Sequence, residues 1–312
     1  MEWSLPLLTI SASTAVSSIG LLLIKRSIEQ AFDRRLEVHK AALQGSLDKQ
    51  RIDFEATVKQ RVETFLADEA ADREYKLEAR KRLHLAIGPI RFQLLLACRD
   101  LAGRIEAHGT RKRWPITINN YYGRSTLSRF LRPLALAELA EREIAFFDFS
   151  VDSGAVDLIR FKRRAFAIFT GPHLVKGHPS VNWEDEEQHI FYDNLARAAA
   201  AFIVQPSDAP ARCMRADEWE RALGCRETLD ATASVLNLFA RFSPEATPLF
   251  WARLIAYALL CNDYVNSHGK AAGFEKRALP LSILLKASGD RTILSNLDEY
   301  ERRCNFVLSG AL

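Results

Sequence analysis

Few residues in this 312-residue chain have types and spacing that could do chemistry. Glu186 and His189 form a Glu-x-x-His step, half of the set with which helical bundles hold a carboxylate-bridged metal pair. A complete site needs a second such step and two further carboxylates, and the sequence has no second step. The expected role of Glu186 is therefore a charged first helical turn, and no metal ligands are assigned. His173 and His178 flank Lys176 in the segment 171–179, where two imidazoles and an ammonium could meet an anion or a metal ion.

A third group lies at 119–126. Asn119, Asn120, Tyr121, Tyr122, Gly123, Arg124, Ser125 and Thr126 place aromatic faces, amides and a guanidinium directly at a predicted helix start, where free backbone N–H groups favour anions. The expected ligand-binding residues are thus Tyr121, Tyr122, Arg124, His173, Lys176 and His178. The competing expectation is that the two loops merely cap helices and complete the core.

Other signatures are missing. There is no G-x-x-x-x-G-K-[ST] phosphate loop, no G-x-G-x-x-G, no G-x-S-x-G elbow and no H-E-x-x-H pair. All-helical ribonuclease domains of the HEPN type use Arg and His separated by four to six residues. Here Arg80 with His84 and Arg104 with His108 have only three between them; Arg34 with His39 has the spacing but falls in a charged stalk. No catalytic residue and no cofactor is assigned, and the enzyme question leans to no.

The balance of 43 Lys and Arg against 39 Asp and Glu leaves a net charge of +4, which does not call for nucleic acid across the whole chain. Nucleic acid or anionic lipid stays admissible locally, at Arg111, Lys112 and Arg113 beside Trp114. Arg80, Lys81 and Arg82, and the cluster Arg160, Lys162, Arg163 and Arg164, are expected to be solvated surface. The five cysteines are widely spaced, with no Cys-x-x-Cys pair, and are expected to be reduced thiols.

The elements that must position these residues form three zones. Trp3 to Ile24 holds no charge and is about the length needed to cross a bilayer. Lys25, Arg26, Arg34, Arg35 and Lys40 follow it, so the positive-inside rule predicts a single-pass anchor over 1–25. Its short N-terminus would lie outside and the rest in the cytoplasm, at the inner (cell) membrane. The small pairs Ser11 with Ala15 and Ser13 with Ser17 suit helix association in lipid.

Residues 26–83 are densely charged with alternating sign, contain no Pro and read as one helical, coiled-coil-like stalk. Phe32, Leu36, Leu43, Leu47, Phe54, Val58 and Phe65 step by 4 and 7 in turn, an 11-residue repeat that predicts a nearly straight or slightly right-handed bundle. Beyond Phe65 the stripe fades through the very charged run Ala67 to Glu78, which suits a hinge or a splayed segment.

From 84 to 312 the pattern predicts a multi-helix cytoplasmic domain. Helices are expected at 84–108, 125–148, 152–170, 183–204, 215–241, 245–267, 274–287 and 290–308. Leu94, Phe146, Phe166, Leu236 and Leu259 are the predicted core. Asp152, and Ser243 with Pro244 following, are predicted caps, and 115–120 is the sole candidate strand. The fold class is all-α. The expected partners are a lipid bilayer, further copies of the same chain, and a cytoplasmic protein or small-molecule ligand. The leading functional expectation is a membrane-anchored, self-assembling scaffold or sensor. An oligomeric membrane effector, for example in phage defence, whose spans form or gate a pore is the alternative, and an unusual membrane-tethered enzyme is the third.

Overall fold

A computed structural model describes residues 7–111, 114–146, 148 and 151–309; for 7–19, 21, 153 and 309 it describes the backbone alone. The chain divides into two units, Met1–Tyr75 and Lys76–Leu312. One helix, α1 (Leu7–Thr110), contributes residues to both. Its helical assignment continues through 67–78. The run is rich in Ala and Glu, which favour helix, and Arg73 pairs with Glu69 one turn earlier at 2.7 Å.

In the first unit every residue from Leu22 onward is exposed. The helix is supported there by pairs four residues apart, such as Arg51 with Glu55 at 2.8 Å and Lys25 with Glu29 at 3.9 Å. Each such pair contributes about 0.3–0.5 kcal/mol. Among the described residues no helix is long and apolar enough to cross a membrane. The predicted span from Trp3 to Ile24, with Ser11, Ser13, Ala15 and Ser17, falls for the most part outside the described side chains.

The second unit is all-α, with one two-residue ladder. Burial along α1 begins at Leu83 and continues through Ile87, Ile90, Leu94, Cys98, Leu101, Ile105 and His108, steps of three and four that keep one face inward. There follow α2 (Tyr121–Ile144), α3 (Ser153–Thr170) and α4 (Tyr192–Ala201). Strands β1 (Ile203–Val204) and β2 (Arg212–Cys213) pair antiparallel, Ile203 opposite Cys213. Next come α5 (Ala216–Ala222), α6 (Arg226–Ala240), α7 (Pro248–His268), α8 (Leu281–Lys286), α9 (Arg291–Ser295) and α10 (Leu297–Ser309).

Helix α7 is the centre. Every residue from Leu249 to Ala258 is buried, and it packs against α3, α8 and α10. An aromatic cluster ties α2, α3, α6 and α7 together: Phe130 meets Phe169 at 5.1 Å, Phe239 at 5.2 Å and Tyr257 at 5.8 Å, all edge-on. Such pairs contribute about 0.5–1.5 kcal/mol each beyond their burial.

Several expectations need correction. Phe146 is 85% exposed, because it follows the end of α2 rather than lying within it. The stretch 183–191 is irregular, and the helix expected from 183 starts only at Tyr192, because Glu186 reaches forward to accept from the Phe191 N–H at 2.7 Å. The helix expected over 215–241 is two, separated at 223–225, where Gly224 offers no side chain to hold a helical turn. Ser243 caps a separate turn, accepting from the Ala246 N–H at 3.0 Å, and α7 starts at Pro248 behind Thr247. Residues 274–280 are irregular, and 115–120 forms no strand. Lys162 is buried between Glu138, at 2.6 Å, and Glu141, not solvated. The Asp152 cap is present, its carboxylate accepting from the Gly154 N–H at 2.8 Å. All five cysteines are free, and only Cys225 is exposed.

Candidate functional site

The loop before α2 is held by Asn120. Its side-chain oxygen accepts from the Gly123 N–H at 2.6 Å, and its amide nitrogen donates to the Pro115 carbonyl at 3.0 Å and to Thr117 Oγ1 at 3.1 Å. The first turn of α2 thus lies so close to Thr117 that a Cβ on Gly123 would overlap the Thr117 backbone. That approach fixes where the next side chains go. Tyr121 is 70% exposed, whereas Tyr122 turns inward against α1.

Tyr122 completes a polar cluster between α1 and α2. The Arg104 guanidinium sits over its ring at 4.3 Å and donates to Ser125 Oγ at 3.1 Å and to Thr126 Oγ1 at 3.3 Å. His108 Nδ1 and the Tyr122 hydroxyl are hydrogen-bonded at 3.1 Å, and the imidazole, 3% exposed, packs against Phe242 and Trp251. Arg129, one turn along α2, donates to the Ser125 carbonyl at 3.1 Å and closely to Ser125 Oγ. Two guanidiniums therefore converge on one hydroxyl. Burial, and then the charge of Arg104, lower the pKa of Arg129 below its ordinary value. Among the described residues neither arginine has a carboxylate within ion-pair distance. The arrangement is a half-buried patch of positive charge with two hydroxyls and an exposed aromatic ring at its edge, which suits an oxyanion.

Arg124 does not join this cluster. Its guanidinium donates to the Ile118 carbonyl at 3.1 Å and faces Glu220 at 3.8 Å, while its own carbonyl accepts from Trp219 Nε1 at 3.1 Å. The residue locks the loop onto α5.

The second predicted group makes different contacts. His178 is buried; its Nδ1 accepts from the Ser180 N–H at 3.1 Å, so Nε2 carries the proton and donates to Asp290 at 3.2 Å. Burial raises the Asp290 carboxyl, but the Ile293 N–H and His178 outweigh it and hold the group below its ordinary value. Lys176 is exposed, and its carbonyl accepts from Arg303 at 2.7 Å; His173 is exposed beside Phe306 at 5.9 Å. These three residues pin the loop to α9 and α10 and do not converge on a common point. Glu186 and His189 are not on a helix. Glu186 instead accepts from the Phe191 N–H at 2.7 Å and from Asn194 at 3.0 Å, satisfying the start of α4. No group of three potential metal ligands occurs among the described residues.

The sequence alone assigns Arg104, His108 and Arg129 to no ligand site. Their signal was the spacing of four between Arg104 and His108 and between Ser125 and Arg129, which puts each pair on one helical face. No family model, curated protein or solved structure matches this chain.

Proposed function

We propose that this chain is a membrane-anchored, self-assembling scaffold or sensor, in which an N-terminal helix brings copies together and the helical domain binds a phosphate-like anion. One observation carries the assembly. Phe32, Leu36, Leu43, Leu47, Phe54, Val58 and Phe65 are between 42% and 72% exposed in the single chain, and they repeat every eleven residues. At 3.67 residues per turn these positions fall into two columns only about 33° apart, a narrow apolar seam along one face. Leu, Val and Phe each contribute about 1.5–3 kcal/mol when buried. A solvated spacer has no reason to keep such a seam in register, and a parallel bundle of identical chains buries it all at once.

The anchor rests on the uncharged run from Trp3 to Ile24 and on Lys25 and Arg26 after it. The small pairs Ser11 with Ala15 and Ser13 with Ser17 bring copies together in the same parallel sense. Anion binding rests on Arg104 and Arg129, which share a hydroxyl without a carboxylate.

The test is the mass of the full-length protein extracted from membranes in mild detergent, beside the double variant Leu47→Asp, Phe54→Asp. The expected result is membrane-bound wild type with a defined multiple of 35.3 kDa, reduced to monomer in the variant. A wild-type monomer removes the assembly, and recovery of wild type in the soluble fraction removes the anchor.

A further inference from the structure

Buried polar atoms without a hydrogen-bond partner concentrate in one place in the domain. Six such side-chain atoms occur among the described residues: Arg132 Nε, Gln188 Oε1, both ring nitrogens of His189, and Arg253 Nε and Nη2. Five belong to Gln188, His189 and Arg253. Burial without a partner costs about 1–3 kcal/mol for a neutral group and more for a charged one, so a cluster of this kind marks a place where something else is bound.

Arg253 lies on α7 and is wholly buried. Its Nη1 donates to the Gly171 carbonyl at 2.9 Å and closely to that of Ile168, at the C-terminal end of α3, where the helix dipole is negative. Nε and Nη2 remain. They lie on one edge of the guanidinium, the edge that offers two parallel N–H bonds to the two oxygens of a carboxylate. The Arg253 guanidinium stands 5.8 Å from the centre of the Trp183 ring, and His189 packs on that same ring at 4.9 Å and on Phe191 at 4.9 Å. Burial, and then the charge of Arg253, lower the pKa of His189 and keep its imidazole neutral, with one N–H to donate and one nitrogen to accept. Burial likewise lowers Arg253 to about 9, a penalty that an anion on its free edge would relieve.

Gln188 is the neighbour of His189 in the chain. Its amide nitrogen donates to the Asn182 carbonyl at 2.8 Å, which fixes the amide orientation and leaves Oε1 as a free acceptor. The residue lines a cleft of about 1110 Å³ whose wall also carries Asp185, Glu186, Glu187, Glu245 and Asp290, against Arg241. A negative wall disfavours a dianion and tolerates a monocarboxylate, or a carboxylate that also bears an ammonium group.

We propose that Arg253, His189 and Gln188 form a receptor for the carboxylate of a small monocarboxylate or amino-carboxylate, seated on the free Arg253 edge beneath Trp183. The site is separate from the Arg104 cluster and does not depend on the proposed assembly.

Thermal melts of the full-length protein in detergent test it, with acetate and glycine as probes and sodium chloride at equal ionic strength as the control. Trp183 fluorescence is followed in the same samples. Acetate or glycine is expected to raise the melting temperature of wild type. Arg253→Lys keeps the charge and loses the two-pronged edge, and is expected to weaken binding by at least about tenfold. His189→Leu removes two unpartnered nitrogens. It is therefore expected to melt no lower than wild type without probe while losing the response, which keeps the test decisive should the arginine variant fail to fold. No response of wild type to either carboxylate, or a response preserved in His189→Leu and Arg253→Lys, overturns the proposal.

Discussion

Replacing Arg104 by Met tests the reading of the α1/α2 cluster, because the structure sets opposing contributions there. The substitution removes the contact over Tyr122 and the donors to Ser125 and Thr126. For a half-exposed arginine these sum to about 2 kcal/mol. It also relieves the repulsion between two guanidiniums sharing the Ser125 hydroxyl, on the order of 1 kcal/mol at the screening of a partly exposed site. The net expectation in chloride is a loss of about 1 kcal/mol, or roughly 2–4 °C in Tm for a domain of this size. Phosphate changes the comparison. At ten times its dissociation constant it stabilises the wild type by about 1.4 kcal/mol and the variant by close to nothing, so the gap more than doubles. The assay is a pair of melts, chloride against phosphate at equal ionic strength. An equal phosphate-dependent rise in both proteins would refute the anion site, whatever the loss in chloride.

Further outcomes follow from the same packing. Burial raises the Glu138 carboxyl, but Lys162 and Arg142 outweigh it and hold its pKa below 4.5, so its stabilising effect is present above that value and is lost as pH falls through the lowered one. Glu138→Gln should therefore be less stable than wild type at neutral pH and show a shallower decline in acid denaturation; parallel pH profiles would contradict this. Gly123→Ala places a methyl group on the Thr117 backbone, and hydrogen exchange in the loop 115–123 is expected to speed up while the α7 core stays protected. Phe130→Ala, at the aromatic cluster, should cost about 3–5 kcal/mol, whereas Phe146→Ser should change stability by less than about 0.5 kcal/mol. Equal losses in denaturant melts would mean that the core is misplaced.

What the sequence showed depended on the length over which a signal accumulates. The apolar steps from Leu83 to Ile105 and the apolar run of α7 on either side of Arg253 are long, and the helices are legible from them. The region 183–191 was not. Four acidic residues there resemble a helix start, but Glu186 reaches forward to cap α4 instead, a choice made by tertiary contacts. The ladder of Ile203 with Cys213 is two residues long and leaves no periodicity. The pattern that carries the predicted helix 125–148 through Phe146 overruns its end, because α2 stops at Ile144 and leaves Phe146 outside the core. The two arginines on Ser125 come from different helices, so only the packing of α1 on α2 brings them together. Arg253 is one charge within an otherwise apolar stretch of α7, and its unpartnered edge depends on where α3 ends.

The most direct measurement of the assembly claim is disulfide crosslinking of the full-length protein in native membranes, with single cysteines introduced on the seam and opposite it, in a Cys225→Ser background. Leu47 lies on the apolar seam, and Lys49, two residues on, points about 196° away at 3.67 residues per turn. Parallel, in-register copies predict rapid crosslinking of Leu47→Cys to a covalent dimer and none of Lys49→Cys. Equal crosslinking at the two positions, or none at Leu47→Cys, would contradict the account.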